Sequence, residues 1–76
     1  MVKGICLIKG EAEKSGDMKI RLEEMSEVKE VLQLFGDYDL ITIIEASSLR
    51  ELNETVDKIR SIKGIKETNT LIAAET

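Results

Sequence analysis

The chain opens on Val2-Lys3-Gly4-Ile5-Cys6-Leu7-Ile8-Lys9, a run rich in β-branched and aliphatic residues that reads as a first strand. Glu11 to Gly16 is polar, with Ser15 or Asp17 available as a helix N-cap. Met18, Leu22 and Met25 then recur at i, i+4 and i+7, one apolar stripe of a short helix. Val28 to Phe35 reads as a second strand and Asp39 to Ala46 as a third, joined by a hairpin through Gly36-Asp37-Tyr38. Ser48-Leu49-Arg50-Glu51 has the form of a capping box and starts a second helix. Its buried stripe is Leu49, Leu52, Val56, Ile59 and Ile62, with Gly64 expected as the C′ residue that ends it. Ile65 to Ala74 completes the pattern as a fourth strand.

Each half therefore reads strand, helix, strand. A shift of 37 residues places Leu22 on Ile59, Met25 on Ile62 and Val28-Lys29-Glu30 on Ile65-Lys66-Glu67, and lays the first strand over Ile41 to Ala46. Two such halves joined by a hairpin give βαββαβ, the ferredoxin-like plait of the α+β class, as one domain over residues 1–76. Right-handed crossovers put both helices on one face of a four-stranded antiparallel sheet.

The other face of that sheet should be polar if it meets water, and the strands do not alternate cleanly enough for that. Val2, Cys6 and Ile8 oppose Ile5 and Leu7 in the first strand, and Leu40 and Ile44 oppose Ile41 and Ile43 in the third. In the second, Val28, Leu32 and Leu34 oppose Val31 and Phe35. Four strands of this length offer on the order of 400 Å² per face, at the upper end of what a monomer leaves exposed. A second copy is the simplest cover, and a homo-oligomer is expected.

Composition narrows the chemistry. One Cys and no His exclude both a disulfide framework and a Cys/His zinc site within one chain. Cys6 reads as a small buried hydrophobe, suited to a reducing compartment; a cytoplasmic location is expected. No run is long enough to span a membrane. A net charge of −4 works against binding phosphate backbones, so direct DNA binding is not expected. The 34% of charged residues and the absence of Pro also fit a thermophile's surface.

The usual catalytic sets cannot be assembled. Without His there is no Ser-His or Cys-His pair, and the scattered glycines form neither a P-loop nor a dinucleotide fingerprint. No catalytic residue, metal ligand or cofactor is assigned. What remains is the hairpin Gly36-Asp37-Tyr38-Asp39, which holds the chain's only Tyr between two carboxylates, and the polar interruption Thr68-Asn69-Thr70 in the last strand. Each residue has an ordinary explanation in turn or edge-strand chemistry. Together they offer glycine N–H groups for a carboxylate, aspartates for an ammonium, and hydroxyls for either, the complement of a free amino acid.

Phe35-Gly36-Asp37-Tyr38-Asp39-Leu40-Ile41 resembles the G-x-[aromatic]-D-hydrophobic hairpin of the Lrp/AsnC effector domain, also called the RAM domain. Ile62-Lys63-Gly64-Ile65-Lys66-Glu67-Thr68-Asn69-Thr70 resembles its I-x-G-V-x-x-T-x-T segment, and the likeness runs from about Met1 to Ala74. The resemblance implies dimers formed through the sheets, and small effectors such as amino acids bound near the hairpin at interfaces between dimers. It would place Gly36, Asp37, Tyr38 and Asp39 around the ligand, with Thr68 and Thr70 supplying polar groups. It further implies a stand-alone effector domain, without the helix-turn-helix of the regulators, that modulates full-length members of that prokaryotic family. A small enzyme of the dimeric α/β-barrel kind shares the topology, and a ligandless assembly domain is the third reading.

Overall fold

The computed structural model describes residues 1–73. The elements in chain order are β1 (Val2–Gly10), α1 (Ser15–Glu23), β2 (Val28–Gln33), β3 (Leu40–Ala46), α2 (Leu49–Arg60) and β4 (Ile65–Ala73), with one 3₁₀ turn at Ala12–Lys14. All strand pairs are antiparallel and the sheet order is β2-β3-β1-β4, the ferredoxin-like arrangement. Ala74, which the sequence reading included in the last strand, lies outside the described residues.

The core lies between the helices and one sheet face. Gly4, Cys6 and Ile8 of β1 stand in register with Ile44, Thr42 and Leu40 of β3, and all six are buried against Met18, Leu22, Leu52, Val56 and Ile59. Leu49 was expected in the α2 stripe but is 50% exposed; Thr55 is buried instead, its hydroxyl donating to the Glu51 carbonyl at 2.9 Å. That bond satisfies the polar atom and lets a threonine occupy an apolar position.

The second helix starts where the capping box put it. The Glu51 N–H donates to Ser48 Oγ at 3.1 Å, while the Glu51 carboxylate accepts from the Ser47 N–H at 3.1 Å and the Ser47 hydroxyl at 3.0 Å. The reciprocal bond thus falls one residue earlier than in the usual box. The first helix is different: neither Ser15 nor Asp17 caps it. The 3₁₀ turn leads directly into α1, and Ser15 Oγ donates back to the Ala12 carbonyl at 2.8 Å.

The helix ends repeat each other. Met25 N–H donates to Leu22 O and Ile62 N–H to Ile59 O, both at 3.1 Å; Val28 N–H donates to Met25 O at 3.1 Å and Ile65 N–H to Ile62 O at 3.3 Å. The 37-residue shift is real at these turns. It fails in the strands, since Gly4, Cys6 and Ile8 face the helices whereas Ile41 and Ile43 lie on the open face. A one-residue slip inverts every side chain, so β1 and β3 are not equivalent at that shift. Gly64 is also displaced from its expected place. Ser61 is the C-cap, and Gly64 is the left-handed residue (φ +102°) of the turn beyond it.

In β2 a register irregularity between Val28 and Glu30 adds a residue opposite Ile44 and Ile43. It puts Val28 and Val31 on the same, helix-facing side, where strict alternation had separated them. The open face then carries two cross-strand rows: Leu32, Ile41 and Leu7, then Ile43, Ile5 and Leu71. Leu32 and Leu71 are 49% and 54% exposed.

Candidate functional site

The hairpin between β2 and β3 stands at the end of the sheet where β1 finishes. Gly36 has φ +133°, a conformation open mainly to glycine, and no atom lies within 4 Å of where its Cβ would be. Phe35 is fully in solvent and Asp37 is exposed, whereas Tyr38 and Asp39 are half-buried. The turn therefore projects Phe35-Gly36-Asp37 outward and folds Asp39 inward.

Asp39 is the fixed point. Its N–H donates to the Ile8 carbonyl at 2.8 Å, its carbonyl accepts from the Leu34 N–H at 2.9 Å, and its Oδ2 accepts from the Gly10 N–H at 2.8 Å. The carboxylate thus replaces a strand neighbour for the last amide of β1. Gly10 is confined from the opposite side: a Cβ there would lie 2.4 Å from the Gly64 carbonyl oxygen, which already accepts from the Glu11 N–H at 3.0 Å. The beginnings of β3 and β4 meet at the end of β1. One acid of the hairpin accordingly has a structural duty that a simple reversal would not need.

Beside it lies a cleft of about 240 Å³ lined by Ala12, Ser15, Gln33, Leu34, Phe35 and Asp39. Asp39 turns one bonded oxygen to Gly10, and its second oxygen has no protein partner among the described residues. Ser15 and Gln33 bring polar groups, and Leu34 and Phe35 an apolar wall. Sequence reasoning missed Ser15 and Gln33 as cleft residues. No local signal marks them, since α1 and β2 meet there only through the fold.

Thr68 and Thr70 stand elsewhere. Thr68 pairs with Ile8 across β1 and Thr70 with Cys6, so β1 separates both from the hairpin. Their hydroxyls are engaged: Arg60 Nε donates to Thr68 Oγ1 at 2.9 Å, and Thr70 Oγ1 donates to Cys6 Sγ at 3.5 Å. Burial pushes the Cys6 thiol above its ordinary pKa, against the opposing effect of the Thr70 and Thr42 hydroxyls. One chain brings together the hairpin residues but not the two threonines.

No cluster of His, Cys, Asp or Glu among the described residues could hold a metal ion, and no described helix is long and apolar enough to cross a membrane. On the other side of α1, Lys14 Nζ lies 3.0 Å from the Glu11 carboxylate and holds that carboxyl below the usual range.

Known proteins resemble this chain along its whole length. The description "Lrp/AsnC ligand binding domain" matches residues 3–76. The HTH-type transcriptional regulator FL11 of Pyrococcus abyssi is 37% identical over 70 residues, 92% of this chain and 46% of that protein. A homocitrate synthase of Sulfurisphaera tokodaii is 42% identical over 50 residues, 66% of this chain but 11% of the enzyme. The chain thus spans about half of the regulator and about a tenth of the synthase. The crystal structure of a hypothetical protein from Pyrococcus horikoshii superposes with a TM-score of 0.93 at 35% identity, covering all of this chain and 93% of the other. With the hairpin, the sheet order and a match that runs through both halves, the chain belongs to the Lrp/AsnC family, as a ligand-binding domain.

Proposed function

We propose that this domain binds a small amino acid beside its β2–β3 hairpin, assembles through the open sheet face, and modulates full-length regulators of its family. The observation that carries the proposal is the half-engaged carboxylate of Asp39 at the mouth of a cleft, in a chain matched throughout by a ligand-binding domain. The free oxygen of Asp39 suits an ammonium group, and the N–H groups around Gly36 suit a carboxylate. Asp37 and Tyr38 flank the site in the turn sequence, and Leu34 and Phe35, which line the cleft, would supply apolar surface for a side chain. Thr68 and Thr70 would reach the same ligand only from a second copy. The family resemblance favours that arrangement, since it locates effectors at interfaces between dimers.

The apolar rows Leu32-Ile41-Leu7 and Ile43-Ile5-Leu71 support the sheet-to-sheet dimer. The family match and the relative in Pyrococcus abyssi support a role as a regulator rather than a catalyst. The synthase match favours a second reading of the partner: the same module governing a biosynthetic enzyme instead of a transcription factor. Co-purification with each class of partner separates the two.

The test of ligand binding is a melting screen of ligand-stripped protein against the twenty amino acids. A ligand at ten times its Kd adds about 1.4 kcal/mol. In a domain of this size that raises the midpoint by roughly 5–10 °C. One or a few amino acids should do so. A flat response across all twenty removes the sensing role.

A further inference from the structure

The cleft beside the hairpin offers hydrogen-bond acceptors more than donors. Ser15 gives its hydroxyl hydrogen to the Ala12 carbonyl at 2.8 Å, so it has only lone pairs to present to a ligand. Asp39 accepts from the Gly10 N–H with one oxygen and leaves the other without a protein partner among the described residues. Ala12, Leu34 and Phe35 are apolar. Gln33 is the exception. Its carboxamide can donate as well as accept, and no hydrogen bond engages that side chain among the described residues.

The uncommitted charge around the cleft is of one sign. Asp39 is the charged residue of the lining, and no Lys or Arg joins it. Asp37, in the same turn, has no ion-pair partner among the described residues, and Lys14, next to Ser15 in the chain, is committed to Glu11 at 3.0 Å. This field draws in an ammonium group. The α-carboxylate is common to every amino acid and does not discriminate between them, so discrimination falls to the side chain. A second carboxylate within ~6 Å of Asp39 is disfavoured by about tenfold at a partly solvated site, and no cation of the lining offsets that.

We infer that the cleft selects its ligand by side-chain charge, taking a neutral or basic amino acid and rejecting aspartate and glutamate, and that Gln33 is the residue that sets this limit. The inference rests on the reading that the cleft holds an amino acid, and it names the class. Gln33 pairs with Leu40 at the end of the edge strand β2, on the helix-facing side of the sheet, where it meets Ala12 and Ser15 in the cleft wall. A carboxamide there bonds a neutral polar group or lies along an apolar one without adding charge. A lysine at the same exposed position would be the one cation of the lining.

The experiment titrates the ligand-stripped full chain with each of the twenty amino acids at neutral pH and fixed salt, by calorimetry. The proteins compared are wild type, Gln33→Lys and Asn53→Lys, each checked for folding by circular dichroism. Asn53 is exposed on α2, so its substitution makes the same change in net charge away from the cleft. In wild type, aspartate and glutamate should bind at least about tenfold more weakly than the best neutral or basic amino acid. Gln33→Lys should tighten at least one of the two acids by about tenfold, and Asn53→Lys should tighten neither. An acid that binds wild type as tightly as any neutral or basic amino acid overturns the inference and leaves the amino-acid reading standing. A Gln33→Lys protein whose affinity for both acids stays within about twofold of wild type overturns it too, as does an equal gain in Asn53→Lys. Silence from all twenty in wild type removes the amino-acid reading itself, and the inference with it.

Discussion

Replacing Asp39 by Ala and by Asn should have two separable effects. Alanine removes the oxygen that accepts from the Gly10 N–H at 2.8 Å, a charge-assisted bond at a part-buried amide. Leaving that donor unmatched costs roughly 1–3 kcal/mol, towards the lower end where water can reach it. One kcal/mol moves the midpoint of a domain of 60–100 residues by about 4–8 °C. The Ala protein should therefore melt about 5–15 °C below wild type at equal protein concentration. Asparagine keeps a carbonyl oxygen in the same place and loses only the charge assistance, so it should cost less than about 1 kcal/mol. The assay is thermal unfolding by circular dichroism, with hydrogen exchange of the Gly10 amide as the local reporter. That amide should exchange slowly in wild type and Asn, and fast in Ala. The Asn protein should also lose the amino-acid response, since it removes the charge that suits an ammonium. An Ala protein that melts within about 2 °C of wild type, with Gly10 still protected, would refute the structural role assigned to this carboxylate.

Gly10→Ala should destabilise by roughly 2–4 kcal/mol, because its Cβ would lie 2.4 Å from a backbone oxygen that is itself hydrogen-bonded. Gly16→Ala, in α1 with nothing within 4 Å, should instead stabilise by about 0.4–1 kcal/mol; denaturant midpoints check both. Ser48→Ala should lose about 1 kcal/mol by removing the α2 cap. The bonds from Ser47 hold the Glu51 carboxyl below its ordinary pKa, so its contribution is present above the usual carboxylate range and fades as pH falls through the lowered value. Glu51→Gln should accordingly show a shallower loss of stability in acid. Cys6 is fully buried and its pKa is raised, so it stays protonated in the fold, and the stability it confers is lost as pH rises past the ordinary thiol value. Its labelling by a thiol reagent at neutral pH should follow the unfolding rate, and rapid labelling of native protein would contradict this placement.

The features legible in the sequence were those set by near neighbours. The capping box at Ser48 and Glu51 is read within four residues, and the structure keeps it with one shifted partner. The helix stripes survived because a 3.6-residue period tolerates an error of one position, as Leu49 shows by lying just outside its stripe. Strands do not tolerate it. The irregularity after Val28 moved two valines to one face, and the 37-residue shift placed β1 and β3 out of phase. The hairpin was visible as a motif, but its main bond was not: Asp39 and Gly10 are 29 residues apart and meet only because β3 runs beside β1. Ser15 and Gln33 join the cleft for the same reason. The motif groups Thr68 and Thr70 with the hairpin, and within one chain β1 stands between them and it.

Native mass spectrometry of the purified protein addresses ligand binding and assembly at once. It should show even multiples of the 8.5 kDa chain, each carrying additional mass equal to one amino acid per binding site. Stripping and re-adding that amino acid should remove and restore the mass in wild type, while Asp39→Asn should assemble without it. A spectrum of bare 8.5 kDa monomers at micromolar concentration, unchanged by any amino acid, would contradict the account.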